Sequence, residues 1–228
     1  LVSVSQTTTS ITLSWSAPVV MTGVAATGYN LYIDDGSTGT PSTLVTCSGA
    51  AALDTTCTAS GLTGGLTYSF KVSALSSAGE SDASSVFAQS TSPAAVAGSM
   101  VFSSVTMTSM ALEWTAPSGD TPTGYIVYRD DGDATAMPTP SIVVFEGDAL
   151  TTSATSLTGG TEYRYMVAAL HDDSGVGDVS AVSSQSTSPA SPLGLASDSQ
   201  TSTSISLSWS ASVVSGGSAV TSYKVYQN

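Results

Sequence analysis

Apolar and polar residues alternate with a period of two in several short segments of this chain, and that spacing predicts β-strands. In each segment an apolar or aromatic residue stands at every second position, and the residues between are mostly polar. The clearest examples are residues 11–15, 29–33, 68–74 and 163–169. One apolar side per strand is typical of half-buried strands in antiparallel sheets. No segment shows a convincing helical period, so the pattern predicts an all-β fold.

The strand motifs recur at a domain-sized interval. Trp15 and Trp114 are 114 − 15 = 99 residues apart, and Trp114 and Trp209 are 209 − 114 = 95 residues apart. A unit of this length is a domain rather than a solenoid repeat. Ser-Pro dipeptides at 92–93 and 188–189 mark the junctions, because proline cannot donate a ladder hydrogen bond. We therefore expect domains at residues 1–92 and 93–188, and the first three strands of another at 189–228.

The motifs occur in a fixed order in the first two repeats. A Trp strand precedes a Gly-Tyr-x-x-Tyr strand, and a Leu-Thr-Gly-Gly-x-x-Tyr corner follows. This order resembles fibronectin type III domains and implies tandem immunoglobulin-like β-sandwiches of seven strands each, the third incomplete. The resemblance places Trp15, Trp114 and Trp209 in the cores. It also implies that Tyr68 and Tyr163 close their corners by hydrogen bonding to the backbone. The third domain is either truncated or completed by another chain.

The charge of the chain excludes several partners. Charged residues make up 9% of the 228 residues, and the formal net charge is −13. The only bases are Lys71, Arg129, Arg164 and Lys224, which cannot form a phosphate-binding surface, so we expect no nucleic acid partner. No run of 18 apolar residues occurs, so we expect no membrane insertion within this segment.

The two cysteines, Cys47 and Cys57, both lie in the first repeat. They are either free thiols, as in the cytosol, or a disulfide, as in oxidising compartments. We expect the disulfide, because both cysteines lie in extended segments on either side of a short alanine-rich turn. A disulfide in a chain with few lysines and many hydroxyl groups predicts an extracellular or cell-surface location.

Candidate chemistry is sparse. His171 is the only histidine and is expected in a solvated loop, so we expect neither an enzyme nor a cofactor. Acidic turns are weak candidates for calcium ligands, although solvated turn residues are the simpler interpretation. The aspartates concerned are Asp34, Asp35, Asp130, Asp131 and Asp133.

Repetition without catalytic chemistry favours a structural or adhesive module, as a segment of a longer tandem-domain array at a cell surface or in a filament. Its expected partners are other protein domains, including copies of itself in a fibril. The density of Ser and Thr also leaves O-linked glycans open. The alternatives are spacer modules of a secreted polysaccharide-degrading enzyme and a receptor ectodomain.

Overall fold

The computed structural model describes residues 1–19, 24–37, 39–47, 51–118, 121–130, 132, 142–214, 217 and 219–227. Within these ranges the regular structure consists of strands and includes no helix, so the predicted all-β class is confirmed. The strands form two β-sandwiches and one hairpin, and each is described separately.

The first sandwich contains eight strand segments. They are β1 (Val2–Gln6), β2 (Ser10–Ser14), β3 (Gly28–Ile33), β4 (Thr43–Leu44), β5 (Thr56–Ser60), β6 (Thr67–Ser76), β7 (Gly79–Glu80) and β8 (Phe87–Ser90). One sheet has the order β1-β2-β5, and the other has the order β4-β3-β6-β7 with β8 also paired to β6. The segments β7 and β8 pair with opposite ends of β6. Counted as one interrupted strand, they give the seven strands that the resemblance implies.

The alternation of apolar and polar residues along the strands corresponds to an alternation of buried and more exposed side chains. Ile11 and Leu13 of β2, Leu31 of β3 and Phe70 of β6 are completely or almost completely buried between the two sheets, whereas their sequence neighbours face outward. Pairing is antiparallel and brings Leu13 opposite Cys57 of β5. Burial of these large apolar side chains is the main favourable term in the stability of each sandwich.

The second sandwich repeats this arrangement. Its segments are β9 (Val101–Ser103), β10 (Met110–Glu113), β11 (Gly124–Arg129), β12 (Ile142–Gly147), β13 (Thr151–Ala154), β14 (Glu162–His171), β15 (Gly175–Val179) and β16 (Ser183–Ser186). The sheets have the orders β13-β10-β9 and β12-β11-β14-β15, with β16 also paired to β14. Its buried core includes Leu112, Trp114, Val127 and Tyr165.

The third repeat forms a hairpin of β17 (Leu193–Gln200) and β18 (Ile205–Ser210). The sequence predicts a third strand around Tyr223, but residues 219–227 adopt no strand structure. The reason is the lack of pairing partners: β3 and β11 are hydrogen-bonded to β6 and β14, and residues 189–228 contain no counterpart of those strands. Apolar residues of the hairpin such as Leu193 and Ile205 are consequently exposed.

Candidate functional site

The first acidic turn follows β3, and its two carboxylates accept hydrogen bonds from the turn itself and from one amide of β6. Asp34 is only 6% exposed, and its Oδ1 accepts hydrogen bonds from the amides of Gly36 at 3.1 Å and Ser69 at 3.0 Å. Asp35 Oδ1 accepts hydrogen bonds from the hydroxyl and the amide of Ser37, and these lower the pKa of Asp35. Gly36 has a φ of +81°, a left-handed conformation that favours glycine.

The second acidic turn follows β11 and adds an ion pair to the same arrangement. Asp130 is 5% exposed, and its Oδ1 accepts hydrogen bonds from the amides of Gly132 at 3.2 Å and Arg164 at 3.1 Å. Its Oδ2 lies 2.8 Å from Arg164 Nε. Gly132 has a φ of +84°. Asp131 and Asp133, two of the predicted calcium candidates, lie outside the described residues.

The described residues include no group of three or more His, Cys, Asp or Glu side chains arranged to hold a metal ion. Asp34 and Asp130 each use one carboxylate oxygen to cap two backbone amides. Such capping favours the interpretation of the acidic turns as structural turns. A calcium site at these aspartates stays a prediction.

Each tryptophan packs edge to face against one aromatic ring. In the first sandwich Trp15 is half-buried, and its ring centroid lies 5.6 Å from that of Tyr29. In the second sandwich Trp114 is 4% exposed and lies 5.5 Å from Phe145 of β12. Trp209 of the third repeat is half-buried and lies 5.7 Å from Tyr223. The three tryptophans therefore occupy equivalent positions in the repeats but differ in how much of the side chain is buried.

The disulfide predicted from the sequence is present in the first sandwich. It joins Cys47 to the buried Cys57 of β5, with the two Cα atoms 5.1 Å apart. A half-open cavity of about 170 Å³ lies beside it. The cavity is lined by Trp15, Tyr29, Leu31, Val45, Cys47, Ala51, Ala52, Asp54 and Thr56. Among the described residues, no hydrogen-bond partner is present for the buried Nε1 atom of Trp15.

Both tyrosine corners make a hydrogen bond to the backbone. The phenol oxygen of Tyr68 accepts a hydrogen bond from the amide of Thr63 at 2.9 Å. The same bond, also at 2.9 Å, joins the amide of Thr158 to Tyr163. Each tyrosine thereby fixes the loop that leads into its own strand, β6 or β14.

Sequence reasoning missed a second support of each corner. Thr91 is fully buried, and its hydroxyl donates to the carbonyl of Thr63 at 2.7 Å while accepting from the amide of Leu66 at 3.2 Å. Thr187 makes the equivalent bonds to Thr158 and Thr161. The signal was available, because the pentapeptide Gln-Ser-Thr-Ser-Pro occurs at both 89–93 and 185–189.

A polar cluster covers part of the outer face of the first sandwich. Tyr32 donates a hydrogen bond to Glu80 Oε1 at 2.7 Å, and Ser73 donates to the same oxygen. Lys71 Nζ lies 5.4 Å from the centroid of the Tyr32 ring. The bonds from Ser73 and Tyr32 lower the pKa of Glu80, and the bond to Glu80 raises the pKa of Tyr32. Strand register places Tyr128, Met166, Ala168 and Val176 at the corresponding positions of the second sandwich.

His171 ends β14, and its Nδ1 accepts a hydrogen bond from the amide of Asp173 at 3.4 Å. This bond belongs to the turn between β14 and β15 rather than to a nucleophile and base pair of the kind a hydrolase needs.

The part of the chain that the structure describes contains no helix that could span a membrane.

Comparison with known families assigns the two sandwiches. The sequence model described as "Fibronectin type III domain" matches residues 1–90 and again residues 94–186. The chain belongs to the fibronectin type III family. The two fibronectin type III domains thus coincide with the sandwiches β1–β8 and β9–β16.

Two curated proteins of Cellulomonas fimi are similar to almost the whole chain. Exoglucanase B is 32% identical over 246 aligned residues, which cover 97% of this chain and 20% of the exoglucanase. Endoglucanase B is 32% identical over 238 aligned residues, which cover 96% of this chain and 21% of the endoglucanase. The chain therefore spans about a fifth of the length of these relatives.

Solved structures with tandem fibronectin type III domains are also similar. A two-domain segment of chicken tenascin is 21% identical with a TM-score of 0.43, and the alignment covers 81% of this chain and 96% of that segment. Domains FN1–FN3 of chicken CNTN1 are 15% identical with a TM-score of 0.41, covering 81% of this chain and 64% of that structure.

Proposed function

We propose that this segment is a non-catalytic spacer in a secreted enzyme that degrades a glucan. The observation that carries the proposal is the asymmetric coverage of the relatives: 97% of this chain aligns with only 20% of exoglucanase B. The other four-fifths of such an enzyme is ample for a catalytic domain. The interiors of the two fibronectin type III sandwiches are filled with apolar side chains. Such domains suit the role of connecting the catalytic domain to the other domains of the enzyme.

Two properties of the chain support a spacer outside the cell. The matched domains are separated only by residues 91–93, and this junction contains Pro93, which restricts the backbone. The disulfide between Cys47 and Cys57 is typical of oxidising compartments. A glucan polymer is too large to enter a cell, so an enzyme that cleaves it works outside, in keeping with this location.

The sequence favoured a structural or adhesive module of an array or filament first and the spacer second. The glucanase relatives favour the spacer, so that order is reversed here. Adhesion, filament formation and O-linked glycans stay predictions.

The proposal is tested in the parent protein. The gene around this segment should encode a glucanase catalytic domain in the same reading frame. Replacing residues 1–186 by a Gly-Ser linker of equal length should reduce activity on insoluble glucan and leave activity on soluble oligosaccharides unchanged, because only the insoluble substrate requires defined spacing. A flanking sequence made solely of further fibronectin type III repeats would contradict the proposal.

A further inference from the structure

The half-open cavity in the first sandwich, called the Trp15 cavity below, has an aromatic and apolar interior. Trp15 and Tyr29, whose ring centroids lie 5.6 Å apart, are both only partly buried and line the cavity together with the buried Leu31. Cys47 forms another part of the lining and is tied to Cys57 by the disulfide. This covalent bond restrains the wall of the cavity, so the space is largely preformed.

The exposed part of the lining carries polar groups. Asp54 and Thr56 both line the cavity and are exposed to solvent. Asp54 Oδ2 accepts a hydrogen bond from the amide of Ala51 at 2.6 Å, whereas Asp54 Oδ1 and the hydroxyl of Thr56 make no hydrogen bond within the described part of the chain. An apolar interior with a few polar groups at the opening is typical of sites for small molecules.

The second sandwich shows what covers the equivalent tryptophan when no such cavity is present. The ring of Phe145 lies 5.5 Å from Trp114, and Trp114 is only 4% exposed. In the first sandwich β4 and the residues after it supply the smaller side chains of Val45 and Cys47 to the cavity lining. Trp15 therefore lacks the phenylalanine ring that covers its counterpart.

The volume and the lining of the cavity together select the class of ligand. The cavity measures about 170 Å³, and an apolar protein cavity of about 150 Å³ holds one benzene molecule. A sugar ring is of similar size but carries several hydroxyl groups, and burying them without partners is unfavourable. A phenol has a single hydroxyl group, which can stay at the opening beside Asp54 and Thr56.

We propose that the Trp15 cavity binds a small monocyclic aromatic molecule of the phenol class. The aromatic ring packs on Trp15 and Tyr29 as the ring of Phe145 packs on Trp114, in the edge-to-face geometry that aromatic pairs favour. The phenol hydroxyl donates a hydrogen bond to Asp54 Oδ1 at the opening. Because phenol has so few atoms, the dissociation constant is on the order of 1 mM. This inference is independent of the proposed spacer role.

The indole N–H group of Trp15 reports on the cavity. The complete 228-residue chain, labelled with ¹⁵N, is titrated with phenol through the millimolar range. The Nε1 resonance of Trp15 should shift in a saturable way, since a bound ring changes the magnetic environment of the indole. The Nε1 resonance of Trp114 is the internal control and should not respond. D-glucose over the same concentration range should leave both resonances unchanged.

Three variants make the assignment specific. Val45→Phe introduces an aromatic side chain at a position that lines the cavity, so the response of Trp15 to phenol should disappear. Ala51→Leu enlarges an exposed residue of the lining and should abolish the response as well. Phe145→Ala opens the corresponding space in the second sandwich and should give Trp114 a response to phenol that it lacks in the natural chain.

Each outcome bears on the proposal. The proposal is overturned if phenol causes no saturable shift of the Trp15 resonance, or if the shift persists in both Val45→Phe and Ala51→Leu. It is also overturned if glucose shifts this resonance as strongly as phenol, because the ligand class would then be wrong. If the amide spectrum shows that Val45→Phe does not fold, Ala51→Leu decides, because an exposed position tolerates the larger side chain.

Discussion

The two sandwiches cover the same tryptophan in different ways. In the first, Trp15 stays half-buried beside a cavity and the Cys47–Cys57 disulfide. In the second, Phe145 of β12 packs against Trp114, which is almost fully buried. The tryptophan follows the second strand in both sandwiches, so the difference arises within or just after the fourth strand, where Phe145 lies in β12 and Cys47 follows β4. A covalent bond and an aromatic side chain are therefore alternative ways of holding one edge of this fold.

The largest expected effect is the truncation of the better-buried tryptophan. Trp114→Ala should lower the free energy of unfolding of the second sandwich by about 3–5 kcal/mol, because it removes a large side chain from a closed core. Trp15→Ala should lower that of the first sandwich by less, since Trp15 already borders a cavity. Urea titration followed by hydrogen–deuterium exchange with mass spectrometry separates the two sandwiches. Equal losses would contradict the distinction between a closed and an open tryptophan site.

Removal of the disulfide ranks second. The double substitution Cys47→Ala with Cys57→Ala should lower the free energy of unfolding of the first sandwich by about 2–3 kcal/mol, as expected for a short closed loop. The cysteines are ten positions apart, and both lie in the first repeat. Hydrogen exchange of the second sandwich is the matched control and should not change. A comparable loss of stability in the second sandwich would show that the effect of the disulfide is not confined to the first sandwich.

The tyrosine corners should respond alike, in contrast to the tryptophans. Tyr68→Phe and Tyr163→Phe each remove the acceptor of a 2.9 Å hydrogen bond from a backbone amide. Each substitution should cost about 1 kcal/mol in its own sandwich. Chemical denaturation of the two single variants measures both values. Unequal costs would indicate that Thr91 and Thr187 support the two corners to different extents.

The repeated features of the fold were predictable from the sequence because they depend on local spacing. Alternation with a period of two predicted β3, β6 and β14. The disulfide was also predictable, because its cysteines are only ten positions apart in the chain, in segments whose sequences are typical of extended structure.

The contacts that distinguish the two sandwiches were not predictable in the same way. Phe145 reaches Trp114 and Arg164 reaches Asp130 only after strands distant in sequence have been brought together. Their counterparts in the first sandwich differ in residue type, so repetition carries no signal for them. The strand expected around Tyr223 was wrong for a related reason: a period of two predicts a strand only where a neighbouring strand can pair with it.

The smallest expected effect concerns pH and the outer face. Hydrogen bonds from Ser73 and Tyr32 lower the pKa of Glu80 below its ordinary value of 4.5. A group with a lowered pKa in the folded state stabilises the fold above its unfolded pKa, and this contribution is lost as the pH falls through the lowered value. The acid side of the stability profile of the first sandwich should therefore contain a small step that Glu80→Gln removes. In the second sandwich Val176 stands at the corresponding position, so no such step is expected there. Carbon NMR of the Glu80 carboxylate between pH 2 and pH 6, a range chosen around that ordinary value, measures the titration. A pKa at or above 4.5 would contradict the assignment of the cluster, because the exposed carboxylate would then gain nothing from its two donors.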